Sequence, residues 1–440
     1  MGHGVPTRGP GEAKAIIHGA VTSTALRRLP LLVLIPALTF HARDSRAQLL
    51  PAEPVVIGDG RLTIGGSVAA TFSCAHAAPE AGGRCANDPG FFNYSDYENS
   101  LLRLMRVDVM AEVKAGPQVS FLTEVRTLNL SHPEPYALYV RVRPWRRRRF
   151  DLQAGRIPTT FGTFARRPYP ADNLLVGLPL AYQYLTSLRV DALPANADEL
   201  IRMRGRGWLS SFSVGDRTPA AGVPLVNGLR WDTGVQAHAA TDTVDLGVSV
   251  TTGTLAHPLV RDNNAGPQVS GRAAWQPASG LILGASASRG PFAGRAAAVS
   301  AGLGPNDRSL TQTAWGTDFE YSRDHYLLRT EVIVSEWRLP SGSPPTLDRP
   351  LRARATSVEG RYKLGPGLYG AMRWDHLGFS TLRGTLGTET WEAPVTRVEA
   401  GVGYLLQRNL LLKASYQRNV REGGRVRGLT IGATQLVYWF

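Results

Sequence analysis

The sequence predicts an all-β fold: one antiparallel transmembrane β-barrel of about sixteen strands, with fourteen to eighteen as the range. Three observations predict it. The chain stops on an aromatic strand, its middle repeats segments of alternating polarity, and its connections alternate between short and long. The last segment, Gly428–Phe440, reads G-L-T-I-G-A-T-Q-L-V-Y-W-F and puts Leu436, Tyr438 and Phe440 on one face of a period-two pattern. At the end of a soluble domain such an edge invites aggregation. In a closed barrel it pairs with the first strand, and its apolar face meets lipid.

The alternation is clearest in Leu310–Tyr321, where Thr313, Trp315, Thr317, Phe319 and Tyr321 interleave with Gln312, Ala314, Gly316, Asp318 and Glu320. In Ser100–Val113, Met105, Val107, Val109, Ala111 and Val113 share a face opposite Arg106, Asp108 and Glu112. A soluble sandwich strand has the same pattern, so the connections decide. Tight links such as Ala115–Pro117, Thr241–Thr243, Arg323–His325, Gly365–Gly367 and Gln407–Asn409 alternate with longer ones such as Cys74–Asn99, Gly253–Ala265, Pro291–Ser309 and Ser380–Pro394. That parity is expected of periplasmic turns and external loops, whereas Greek-key links have no reason to keep it. It gives strands from 61–73 to 427–440, and an even number puts both chain ends on one side.

Composition agrees. Charged residues are 19%, Gly numbers 47, and mean hydropathy is −0.14. No apolar run reaches the 18 or so residues a membrane helix needs. The apolar run Leu29–Phe40 behind Arg27 and Arg28, with Ser45-Arg46-Ala47 after it, reads as a secretory signal peptide. The division is then 1–47 signal peptide and upstream extension, 48–60 periplasmic lead-in, and 61–440 barrel, with 158–228 as a long link inside it. Residues 1–47 carry six Lys/Arg and two Asp/Glu, so the net charge of +14 falls to about +10 without them. Export excludes nucleic acid as a routine partner, and the basic balance suits anionic solutes and lipid head groups. Cys74 and Cys85, the only cysteines, are a candidate loop disulfide in an oxidising compartment.

Pro158–Gly228 is too long for an ordinary connection and occupies the position of the third external loop. It leaves its strand through F-D-L-Q-A-G-R-I-P-T-T-F-G (Phe150–Gly162). This strand end resembles that of the phosphate-selective porin-like family, and the terminal Phe resembles the outer-membrane assembly signal of Gram-negative barrels. The link's position also resembles that of the third external loop of general porins, which implies an inward-folding constriction; phosphate specificity is not carried over. Arg156, Arg166, Arg167, Arg189, Arg202, Arg204 and Arg206 are candidate constriction residues, because arginine rings attract anions where low-dielectric walls focus the field.

Charges spaced by two lie on one face, and a lipid-facing arginine at mid-membrane costs roughly 2–4 kcal/mol. Arg106, Asp108, Glu112, Glu124, Arg126, Arg141, Arg143, Arg329, Glu331, Arg397 and Glu399 are therefore expected in the lumen. The sequence holds no metal-ligand spacing, nucleophile elbow, phosphate loop or dinucleotide fingerprint. No cofactor is expected. The expected function is passive diffusion of small hydrophilic solutes, leaning toward anions. The competing readings are a barrel enzyme and a structural or adhesive barrel. Expected partners are outer-membrane lipid and lipopolysaccharide, the barrel assembly machinery and small anionic solutes, with a homotrimer as a compatible assembly.

Deleting Phe440 should slow membrane insertion strongly, because the terminal aromatic is both signal and interfacial anchor. Pulse-labelling of outer-membrane fractions checks it; a normal rate removes this residue from the argument.

Overall fold

The computed structural model describes residues 51, 53–78, 92–94, 103–145, 149–164, 167, 169–228, 230–259 and 261–440. The expected signal peptide, Cys85 with the disulfide it would form, and Arg166 lie outside them. Sixteen long strands make the wall. The first eight are β1 Leu62–Ala78, β2 Arg103–Lys114, β3 Val119–Leu128, β4 Glu134–Val142, β5 Arg149–Ile157, β6 Asp232–Ala240, β7 Val244–Thr251 and β8 Gln268–Ala278. The rest are β9 Leu281–Pro291, β10 Thr311–Arg323, β11 Tyr326–Trp337, β12 Leu351–Gly365, β13 Leu368–Phe379, β14 Val395–Gln407, β15 Leu410–Arg421 and β16 Gly428–Trp439. Each pairs antiparallel with the next, and β16 returns to β1 from Ser67↔Trp439 to Ala78↔Gly428, so the sheet closes.

Period two sets the faces. Outside, Val109, Phe121, Leu138, Val235, Val248, Trp315, Met372, Tyr416 and Leu436 are exposed. Their inward neighbours Asp108, Glu124, Gln236, Ser249, Asp318, Arg373, Gln417 and Gln435 are buried. A belt of valine and aromatic residues around a polar interior is what lipid outside and water inside require. Short turns collect at one end and long links at the other. The turn between β10 and β11 is tight enough to hold Asp324 at φ 51°, and Gly367 takes φ 71° between β12 and β13.

The closure has a local device. Gly66 N donates to Phe440 O at 3.1 Å, and Phe440 N donates to Gly66 O at 3.0 Å. Beyond the end of β16, the short strand Val55–Ile57 takes over its place beside Leu62–Ile64. The Phe440 ring lies over Gly66 and stacks on Tyr438 at 6.0 Å. Leu436, Tyr438 and Phe440 follow the predicted face.

The long link folds into the barrel mouth. It carries helices α1 Leu180–Gln183 and α2 Ala197–Arg202, the latter capped by Asn196, whose side chain accepts from Glu199 N at 2.9 Å. Ala192–Leu193 pairs with Val214–Gly215, so this part of the link pairs with itself and adds no wall strand. Its apolar residues Leu188, Leu193, Leu200, Phe212 and Leu225 make one core with Trp337, Leu351 and Trp391.

A Cβ at position 66 would sit 2.9 Å from the Phe440 ring and 3.0 Å from the Asp108 carbonyl oxygen, which is backbone and cannot step aside. Gly66→Val should therefore lower the temperature at which the compact gel form converts to the unfolded one. An unchanged transition would show that this seam tolerates a side chain.

Candidate functional site

The wall grips the in-turned link by its backbone. Between Pro170 and Leu178 the link has no regular secondary structure, so its carbonyls need partners from elsewhere. Lys413 Nζ, on β15, donates to the carbonyls of Pro170 (2.8 Å), Asn173 (3.2 Å) and Leu175 (3.2 Å). Arg373 Nη2 donates to Gly177 O at 2.6 Å, and Arg397 to Leu178 O. Glu399 accepts from Gly177 N at 2.9 Å. Glu331 accepts from Thr163 N and Tyr182 OH, both at 2.8 Å.

These arginines are themselves paired. Arg373 bridges Glu359, Asp375 and Glu399; Arg397 binds Asp375. Arg329 joins Glu320, which also takes Arg167 at 2.9 Å, and Arg272 joins Asp318. At Glu392, in the link between β13 and β14, burial pushes the carboxyl pKa up, although it accepts from Ser187 N (2.7 Å), Gly205 N (2.5 Å) and Ala393 N (2.8 Å). The β10–β15 side of the lumen is thus occupied by link and ion pairs.

Space remains against β2–β6. One cavity of about 440 Å³ opens toward the long links and is bounded by Arg126, Tyr136, Arg156, Val190, Arg230 and His257. A second, about 570 Å³, lies toward the short turns and is bounded by Glu112, Glu124, Tyr139, Tyr169, Asp172 and Trp231. The two linings touch through side chains, Arg126 and Tyr136 on the first and Glu124 and Tyr169 on the second. Arg126 donates to Asp108 (2.6 Å) and Glu124 (2.9 Å), and its guanidinium lies 3.2 Å from the centre of the Tyr136 ring. Arg106 shares Asp108 at 2.7 Å, and Tyr169 OH, from the link, donates to Glu124 at 2.6 Å.

The expected lumen charges Arg106, Asp108, Glu112, Glu124, Arg126, Arg141, Arg329, Glu331, Arg397 and Glu399 sit on inward-facing strand positions. Arg143 lies one residue beyond β4 and is exposed at the short-turn end. Of the seven constriction candidates, Arg156 borders the cavity toward the long links, and Arg167 borders a third, of about 380 Å³, with Arg272, Asp318 and Glu320. Arg189 is buried, held by both oxygens of Asp191 (2.8 Å each) and the carbonyls of Ser210 and Thr218. Arg204 pairs with Glu389, Arg202 and Arg206 are exposed on the link surface, and Cys74 is exposed on β1. Sequence reasoning missed Arg272, Arg373, Lys413 and Glu392. Parity could have placed the first three inward, but nothing local showed what they hold.

Three solved structures are similar in fold. The outer-membrane expressed OmpT of Vibrio cholerae has a TM-score of 0.50 at 10% identity over 88% of this chain and 100% of its own. The outer membrane channel DcaP of Acinetobacter baumannii gives 0.50 at 12% identity over 88% and 100%. The anion-selective porin from Comamonas acidovorans gives 0.50 at 9% identity over 86% and 99%. This chain has a porin fold. Within that porin fold, the likeness at such identities speaks for architecture. No protein-family model and no curated protein matches the chain, so the resemblance to phosphate-selective porins stays with Phe150–Gly162 and the terminal strand.

Lys413→Met should loosen the link without opening the barrel, since it removes three hydrogen bonds and adds no bulk. Buried carbonyls left without a donor cost roughly 1–3 kcal/mol. We expect a lower melting temperature and increased proteolysis between Pro168 and Pro179. Unchanged protection would mean that Arg373 and Arg397 suffice.

Proposed function

We propose that this chain is a passive diffusion channel of a Gram-negative outer membrane, admitting small hydrophilic solutes with a lean toward anions. The observation that carries the reading is the pair of cavities on one wall, reaching from opposite ends of a closed barrel until their linings touch through a few side chains. Solutes would pass along β2–β6, because the other side is taken up by the link. Long links would face outward and short turns the periplasm, with residues 1–47 directing export. Two fold neighbours, an outer membrane channel and an anion-selective porin, agree in kind. Lipid and lipopolysaccharide would surround the belt, the barrel assembly machinery would read the terminal strand, and a homotrimer suits the architecture. The channel needs no cofactor and no catalytic group.

Selectivity should come from arginines at the cavities, because charges farther than about 8–10 Å from the solute are screened at physiological salt. Arginine holds its charge at any working pH and fits carboxylate or phosphate with its fork. In planar bilayers the purified protein should conduct in steps. Arg156→Glu and Arg230→Glu, both on the cavity toward the long links, should move the reversal potential in a salt gradient toward cations, most strongly at low salt. Arg202→Glu and Arg206→Glu, on the link surface, should do little. A folded but silent barrel overturns the channel, and unchanged reversal potentials in the first pair overturn the anion preference.

A further inference from the structure

Most buried arginines in this lumen have an acid beside them: Arg106 and Arg126 have Asp108, Arg272 has Asp318, and Arg373 and Arg397 share Asp375. Arg156, half-buried, and Arg230, exposed, make no ion pair among the described residues. Both border the cavity of about 440 Å³ toward the long links. Among the described residues neither makes a side-chain hydrogen bond, and Arg156 Nε is shielded from solvent with no acceptor. They are close enough to repel each other. Their acidic neighbours do not compensate. Asp191 on the same cavity is already taken by Arg189, and Arg126 is neutralised by Asp108 and Glu124. Of the two acids that act on Arg156, Glu134 and Asp232, the second already accepts from the amides of Thr233, Gly253 and Leu259.

A shielded guanidinium nitrogen without an acceptor at Arg156, with a second cation on the same cavity at Arg230, favours an anion bound between the two. A further polar group there is His257, in the link between β7 and β8, whose imidazole pKa burial and then Arg230 push down. A neutral imidazole can donate to or accept from a bound solute without adding charge. The remaining lining is mixed: Ser131, His132 and Asn227 add polar groups, and Tyr136, Leu185, Val190, Val223 and Pro224 supply an apolar patch. The volume falls within the roughly 300–1,000 Å³ of small-ligand sites, which combine an apolar lining with a few placed polar groups.

We propose that this cavity is a binding site for a small organic acid, its carboxylate held by Arg156 and Arg230 and its ring-sized apolar body packed against Tyr136, Val190 and Val223. The proposal deepens the channel reading and rests on it for the solute's onward passage. Binding itself requires only the folded barrel. The charge pattern selects an anion, and the apolar patch of Tyr136, Val190 and Val223 favours a carbon body over a fully hydrated inorganic ion.

The test is calorimetry on the full-length mature barrel in detergent, titrated with benzoate, benzyl alcohol and inorganic phosphate, with gel mobility of the unheated sample as a fold control. Benzoate should bind, with benzyl alcohol and phosphate each at least tenfold weaker. Arg156→Gln/Arg230→Gln should lose tenfold or more in benzoate affinity while keeping the folded mobility, and Arg202→Gln should bind as the parent does. If the double variant fails to fold, Arg156→Lys and Arg230→Lys singly replace it; each keeps the charge, loses the fork, and should weaken benzoate by a smaller factor. Equal affinity for benzyl alcohol overturns the anion site. Equal affinity for phosphate overturns the organic-acid assignment. No benzoate heat in the folded parent, or full affinity in the folded variants, overturns the proposal. A conducting channel that ignores benzoate sinks the site alone; a silent barrel that binds it sinks the channel alone.

Discussion

The interior depends on wall side chains satisfying a loop backbone. A chain segment inside a barrel has neither bulk water nor strand neighbours for its amides and carbonyls, and unpaired buried polar groups are expensive. Here Lys413, Arg373 and Arg397 supply donors to carbonyls between Pro170 and Leu178, and Glu399 and Glu331 supply acceptors to the amides of Gly177 and Thr163. The partners lie as far as 243 residues apart in sequence. The position of the link therefore follows from strands formed long after it.

That grip divides the lumen unequally. Arginines that hold the link need counter-charges, and Glu359, Asp375 and Glu399 provide them, so the β10–β15 side is both full and electrically settled. Against β2–β6 the link makes fewer contacts, and two cavities meet at Arg126, Tyr136 and Tyr169. The function proposed for the chain thus lives where the link is held least. Tyr169 ties the two regions together: it belongs to the link, yet its hydroxyl donates to Glu124 on β3.

Charge counting alone would have misplaced the chemistry. The link is rich in arginine, but Arg189 and Arg204 are spent on Asp191 and Glu389, inside the link or between links. Arg230, absent from the sequence-based candidates, borders a cavity because it sits at the foot of the link just before β6. A guanidinium is available to solute only when no acid reaches it, and acids that reach it come from anywhere in the chain.

The sequence by itself determined the wall. Period-two alternation is local, so Val109 beside Asp108 already declares an outer and an inner face, and the rhythm of short and long links fixes strand order and closure. The strand ends were nearly as legible, most within two or three residues, apart from β1, which runs on to Ala78. Only the tertiary structure decided what fills the barrel. Whether Lys413 lines open water or clasps Pro170, and whether Arg156 meets a carboxylate or an empty cavity, depends on through-space pairing across the lumen. No local period encodes that pairing, because the residues concerned sit on different strands and in a link whose path the wall itself dictates.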